Sequence, residues 1–421
     1  MESIYIHGGI ALQGQVKIQG SKNAVLPVLA ATLLTEGNSV IVNCPRLTDV
    51  YHMQILLKSL GCVAIRDKGK LKVNASGVDI LHTLAGLPED AVRGMRSSII
   101  LLGALLGRTG EVRMDYPGGC VIGERPIDLH IEALKALNVQ FEEKSYGLYA
   151  KTSGLRGAEV ILPVPSVGAT ENLILAAVKA EGTTVIHGAA REPEIVTLCA
   201  YLTACGADIT GGGSSAIVIR GVKQLTGVEF TIPGDRIVAG TYLCACMAAG
   251  GDVLLKEAPV AQMKSVLAYA ELMGAICQET KEGLYVQRHD KMKAPKKMVT
   301  APFPGFPTDM QSPFLPVLAL AEGQCIVEEN IFENRFHTVP FLKEMGALIT
   351  QTDARHVTVE GVDTLYGFTV TAQELRGGAA LVIAGAAAKG ETIVDGCNYI
   401  ERGYENICRD LRELGVRIYS V

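Results

Sequence analysis

The sequence predicts an α/β protein of two domains, each built from three copies of one helix-and-strand unit. Three observations carry that prediction: a glycine-marked repeat that recurs six times, helices too apolar to face water, and a length that suits two domains. The chain has 421 residues, and at roughly 100–200 residues per domain it holds two or three. Hydrophobic residues are 48% of the total and charged residues 20%, which is enough to bury a large core.

The repeat has two markers. In the first, a glycine ends a helix-like apolar run and a β-branched strand follows. It reads TEGNSVIV, RTGEVRM, AEGTTVIHG, AGGDVLLKE, AEGQCIVEE and AKGETIVDG, at Gly37, Gly110, Gly182, Gly250, Gly323 and Gly390. The spacings are 73, 72, 68, 73 and 67 residues. In the second, an amphipathic run ends at Gly61, Asn138, Gly206, Gly274, Gly346 or Gly415 and leads into another strand. Gly and Asn suit a left-handed helix C-cap. Each unit reads helix, strand, helix, strand and a further strand. The period is longer than that of common solenoids, so the six units predict two compact domains of three.

Polar residues head the first helix of each unit: Lys22, Arg96, Ser166, Asp235 with Arg236, Asp309 and Arg376. The helices behind them are apolar enough to demand burial, which predicts that these heads face a shared cleft. A helix N-terminus exposes backbone N–H groups and about half a positive charge; a Lys or Arg beside it makes an anion site. A solvated cap is the plainer reading of any one of them. The second helix of each unit starts near Arg46, Arg125, Arg191, Lys264, Arg335 or Arg402. Some of these can pair with neighbours such as Glu192 and Glu194. A basic residue in every copy of a chain with net charge -5 favours a basic cavity for an anionic substrate.

The acidic balance argues against a nucleic-acid partner. Mean hydropathy is +0.26, yet the longest apolar stretches, 24–34, 99–106 and 379–388, fall short of the ~18 residues a membrane span needs. The N-terminus, MESIYIHGG, has no basic region followed by an apolar run, so no signal peptide is expected. Eleven cysteines is an odd count without framework spacing, which points to the reducing cytoplasm. No Cys-x-x-Cys or His-x-His pair suggests a metal, and no cofactor is expected. No pattern fixes an oligomeric state.

One cysteine stands apart. From first to second marker the units measure 24, 28, 24, 24, 23 and 25 residues. The surplus of the second unit falls at 116–123, within PGGCVIGERP. Gly118, Gly119 and Gly123 permit unusual backbone angles, so the insertion is expected to be a mobile lid. Cys120 sits on it beside Arg125 and a helix start, both of which lower a thiol pKa. The competing reading is a buried structural thiol.

SKNAVLP, MRSS, PGGCVIGERPIDLH, REPEI, PTDMQ, FENRF and ERGYENI together resemble the UDP-N-acetylglucosamine 1-carboxyvinyltransferases, the enolpyruvyl transferase family that begins peptidoglycan precursor synthesis. The resemblance covers the whole chain in order. It implies a two-domain inside-out α/β barrel, six βαβαββ-like repeats with buried helices and outer sheets. It divides the chain into 22–233 and 1–21 plus 234–421, with the active site between them. The implied substrates are phosphoenolpyruvate and UDP-N-acetylglucosamine. Cys120 would protonate C3 of phosphoenolpyruvate and can form an adduct at C2; Asp309 would accept the proton of the sugar hydroxyl. Lys22, Arg125 and Arg402 would hold the phosphate, with Asn23 beside the reacting centre. Arg335 and Arg376 look like carboxylate and closure arginines, and Arg96 like a substrate contact that secures the closed state. Arg125, Pro126, Ile127, Asp128, Leu129, Ser166, Val167 and Ile331 look like contacts to the nucleotide sugar. For His130 two readings stay open, support of its neighbours from behind or a place on the helix surface. One departure is Glu374, where the family often has Asp; Gly377-Gly378 behind it is a weak pair for a helix start. The alternatives are transfer to shikimate 3-phosphate, against which the cysteine loop argues, and an inactive paralogue that binds the nucleotide sugar.

Overall fold

The computed structural model describes residues 3–118, 123, 126–145 and 147–421. They form two compact units, one from 20–118, 126–145 and 147–233, the other from 3–19, 123 and 234–421. Each unit has its own hydrophobic core.

The third repeat shows the pattern. Strand Glu159–Ile161 leads to helix Val167–Ala177, strand Thr183–His187, helix Pro193–Ala204, and strands Asp208–Thr210 and Ala216–Arg220. In the sheet the last strand lies between 208–210 and 183–187. Only the 159–161 and 183–187 pair is parallel, because a parallel pair needs the crossover that the Val167 helix supplies.

The first helix of each repeat is buried. These helices are Lys22–Ala31, Leu101–Thr109 and Val167–Ala177 in one unit, and Arg236–Ala249, Gln311–Ala319 and Leu375–Ala387 in the other. The Arg236 helix buries 13 of its 14 residues. A helix apolar on every face belongs inside, and each large aliphatic side chain so placed adds about 1.5–3 kcal/mol. The second helices vary: Lys264–Leu272 buries only Val266 and Ala270, whereas Pro193–Ala204 buries eight of its 12 residues. All twelve marker residues have positive φ, Asn138 (φ 70°) being the one that is not glycine. The steric demand behind both markers is therefore real.

Two strands change places between repeats. Leu12–Lys17, which leads into the first repeat, pairs in parallel with Gly251–Lys256 of the fourth. Glu229–Thr231, which leads into the fourth, pairs with Asn38–Val42 of the first. Ser3–His7 lies between Glu391–Asp395 and Arg417–Ser420 and completes the sixth sheet.

The second repeat departs from the expected βαβαββ order. Its sheet has three strands among the described residues, where the other five have four. In place of a first strand come two short helices, Ile80–Ala85 and Glu89–Gly94. The local sequence explains them. Asp79 accepts the His82 N–H at 3.0 Å as an N-cap, and Glu89 and Asp90 fill the first turn behind Pro88, where a helix favours negative charge. Among the described residues no helix is long and apolar enough to cross a membrane.

Candidate functional site

In the unit of 3–19 and 234–421, the Arg236, Gln311 and Leu375 helices pack on one another. Their starts carry the charged heads read from the sequence. Asp309 sits in the turn Thr308–Met310 ahead of the Gln311 helix. Its Oδ1 accepts from Arg335 Nη2 at 2.7 Å and its Oδ2 from Arg376 Nη2 at 3.3 Å. Arg335 and Arg376 are each 2% exposed. Burial pushes the Asp309 carboxyl up, but Arg376 and Arg335, with Arg236 behind them, overcome it and hold the group well below the usual carboxylate range.

The cations are not satisfied by this one carboxylate. Arg335 Nε and Nη1 and Arg376 Nε are buried without a hydrogen-bond partner among the described residues. A buried unpaired donor costs about 1–3 kcal/mol, and more if charged. Flat faces steady both guanidiniums: Arg335 lies 5.3 Å from the Phe332 ring and Arg376 5.6 Å from the Tyr404 ring. Arg376 Nη1 also donates to the Tyr404 hydroxyl at 3.3 Å. Two buried forks with spare donors are suited to a carboxylate or phosphate.

Two carboxylates set this geometry. Glu329, fully buried, accepts from Thr308 Oγ1 at 2.9 Å and from the N–H groups of Ile331 and Phe332 at 2.8 and 3.1 Å. It thereby ties Ile331 to the turn that carries Asp309. Glu374 resolves the departure noted in the sequence: it caps the Leu375 helix, accepting from Arg376 N at 2.7 Å and from Gly377 N. A Cβ on Gly377 would lie 2.7 Å from Glu374 Oε1 and 2.4 Å from Thr338 Oγ1, so glycine is what lets the longer acid fold back. Replacing Glu374 with Ala should cost about 1–2 kcal/mol of stability. An unchanged melting temperature would show that the cap does not matter. Arg402 ends the turn Cys397–Arg402, which packs on the Leu375 helix.

In the other unit, Ser21 caps the Lys22 helix, its Oγ accepting from Ala24 N at 3.3 Å. Lys22 Nζ reaches Asp49 Oδ2 at 2.7 Å, both groups being buried. Arg96 Nη1 donates to the Pro117 carbonyl at 3.4 Å, and its turn, Arg96–Ile100, packs on the Lys22 and Val167 helices. Ser166 caps the Val167 helix, accepting from Ala169 N at 3.4 Å. Ile127 precedes helix Asp128–Ala136, where Asp128 and Pro126 are exposed and Leu129 is half-buried. His130 is 7% exposed, so the helix-surface reading fails. Asn23 and Val167 are half-buried.

Cys120 and Arg125 lie outside the described residues, as do 119, 121, 122 and 124 beside them. The recurrent basic residues of the second helices do not behave alike. Arg335 turns inward to Asp309, whereas Arg191 and Lys264 are exposed. Asp49, Glu329 and Tyr404 were not singled out from the sequence. An acid in the first turn of the Thr48–Ser59 helix was the available signal for Asp49; Glu329 stands a few residues before FENRF.

Residues 6–411 match the family model described as EPSP synthase (3-phosphoshikimate 1-carboxyvinyltransferase). Over 100% of both chains, the protein is 45% identical to the UDP-N-acetylglucosamine 1-carboxyvinyltransferase 2 of Caldanaerobacter subterraneus subsp. tengcongensis and 45% identical to the UDP-N-acetylglucosamine 1-carboxyvinyltransferase of Zymomonas mobilis subsp. mobilis. Among solved structures, the enolpyruvyl transferase NikO from Streptomyces tendae matches with a TM-score of 0.87 at 24% identity, over 99% of this chain and 98% of that one. EPSP synthase from Acinetobacter baumannii matches with a TM-score of 0.75 at 18% identity, over 100% of both. The two-domain fold of six repeats is that of these transferases.

Proposed function

Because the chain belongs to the enolpyruvyl transferase family, alongside the UDP-N-acetylglucosamine 1-carboxyvinyltransferases, we propose that it transfers the enolpyruvyl group of phosphoenolpyruvate to the 3′-hydroxyl of UDP-N-acetylglucosamine and releases phosphate. In a cell this would be the first committed step of peptidoglycan precursor synthesis, in the cytoplasm. The observation that carries the reading is the Arg335–Asp309–Arg376 cluster, a carboxylate held by two buried arginines that have donors to spare.

The chemistry assigns each group a task. Cys120 donates a proton to C3 of phosphoenolpyruvate, leaving an oxocarbenium-like C2. Asp309 takes the proton of the sugar hydroxyl as its oxygen bonds to C2. The tetrahedral ketal then expels phosphate from C2 as the Cys120 thiolate takes back a proton from C3, restoring the double bond. Lys22, Arg125 and Arg402 hold the phosphate, and Arg335 and Arg376 the carboxylate. Asn23 and Arg96 stand by the reacting group, while Pro126 to Leu129, Ser166, Val167 and Ile331 contact the nucleotide sugar.

Asp309 held by two arginines is a weak base. A substrate carboxylate arriving on Arg335 and Arg376 takes up part of their field, and the Asp309 pKa climbs. The anionic substrate thus arms the base that the second substrate needs.

Purified protein should release phosphate only when both substrates are present. No release would sink the reading. Release with shikimate 3-phosphate instead would favour the sister activity, and nucleotide-sugar binding without turnover would favour an inactive paralogue. Full-length identity of 45% to the named UDP-N-acetylglucosamine transferases, against 18% to an EPSP synthase, supports the first.

A further inference from the structure

One buried polar node in the unit of residues 20–233 has no part in the steps above. Asn172 lies in the Val167 helix with no exposed surface. Its Oδ1 accepts the Gly103 N–H at 2.6 Å, its Nδ2 donates to the Ile99 carbonyl at 3.0 Å, and Nδ2 meets His130 Nδ1 at 2.7 Å. The first two partners fix the amide, because a backbone N–H only donates and a carbonyl only accepts. Nδ2 therefore offers its second hydrogen to His130, and Nδ1 must be bare. The imidazole is neutral with its proton on Nε2. The ring lies over Gly168, where a Cβ would stand 2.8 Å from Cε1 and 3.2 Å from Nε2.

Three site segments meet at this node. Ile99 belongs to the turn that Arg96 begins. His130 follows Ile127, Asp128 and Leu129 directly, and Gly168 follows Ser166 and Val167. We propose that Asn172 and His130 are positioning residues: they hold these three segments in the register that the nucleotide sugar requires, with the His130 Nε2 proton at the start of the Val167 helix. The proposal rests on the enolpyruvyl-transfer reading. A node that only tied helices together would move the melting temperature, not the balance between the two substrates.

The tautomer is read first, by nitrogen NMR of histidine-labelled protein without substrate. The resonance lost in His130→Asn should show a bare Nδ1 and a protonated Nε2; a proton on Nδ1 overturns the proposal. Asn172→Asp sets an acceptor against Nδ1 and should draw the proton there. In kinetics, Asn172→Asp and His130→Asn should each raise the KM for UDP-N-acetylglucosamine about tenfold, the worth of one hydrogen bond, with a smaller effect on the KM for phosphoenolpyruvate. An equal rise in both constants, or none, overturns it. If Asn172→Asp does not fold, His130→Asn decides alone, since its side-chain oxygen can still accept from Asn172. Failure of the transferase reading looks different: the unaltered chain would release no phosphate, while the tautomer, and calorimetric binding of UDP-N-acetylglucosamine by the variants, would still test the pair.

Discussion

Replacing Asp309 with Asn is expected to lower kcat about a thousandfold, the range a positioned general base supplies, while nucleotide-sugar binding stays measurable. The same change leaves Arg335 and Arg376 buried without their shared carboxylate. Breaking a buried pair in this way costs about 3–5 kcal/mol, so the melting temperature should fall. Phosphoenolpyruvate or inorganic phosphate should restore part of it, because an anion that binds only the folded state stabilises it. The pH dependence has a definite sign. The Asp309 carboxyl is depressed in the folded state, so its contribution is present above the unfolded carboxyl pKa, near about 4, and is lost as pH falls through the folded value. The gap in melting temperature between the parent and Asp309→Asn should be flat above about pH 5 and close only below about pH 4. A variant with kcat within tenfold of the parent would remove Asp309 from the mechanism.

An epoxide phosphonate such as fosfomycin should label one thiol per chain, and Cys120→Ser should abolish that labelling. The other cysteines make this a sharp expectation. Burial pushes the thiols of Cys62, Cys199, Cys246, Cys277 and Cys325 up to about 12, and those of Cys205, Cys397 and Cys408 up to about 11. Cys244 lies well above the ordinary thiol range for the same reason, and Cys44 is buried. The thiolate is the nucleophile, and a thiol of pKa about 12 is ionised to less than about one part in ten thousand at neutral pH. Mass spectrometry of the treated protein decides. Label persisting on Cys120→Ser would mean that another thiol is the reactive one.

The repeats were legible because their markers are steric. A residue that must take positive φ is nearly always Gly or Asn, and six copies made the pattern visible at Gly61, Asn138 and their counterparts. The buried helices were legible because apolar residues on every face leave no other place for them. The second repeat hid its departure, since the helix signals at Asp79 and Pro88 are local and the expected strand came from analogy with five other copies. The Asp309 cluster was legible only as separate heads. Arg335 was placed among second-helix residues that turned out to face different ways, and what distinguishes it from Arg191 is a partner 26 residues away in the chain. Glu329 and Asn172 were missed for a related reason: a buried polar group is defined by whom it meets after folding, and one sequence does not show such meetings. Glu374 stood out only as a departure, and Gly377, a weak residue for a helix start, is what accommodates it.

The exchange of two strands also governs the order in which this chain can be completed during synthesis. Residues 20–233 leave the ribosome as one run that contains every strand its sheets require, Glu229–Thr231 included. That unit can close while the remainder is still being made. The first nineteen residues cannot. Leu12–Lys17 finds its partner only when Gly251–Lys256 emerges, and Ser3–His7 waits for Glu391–Asp395. Until then the nascent chain trails two unpaired edges, which are open to pairing with other chains.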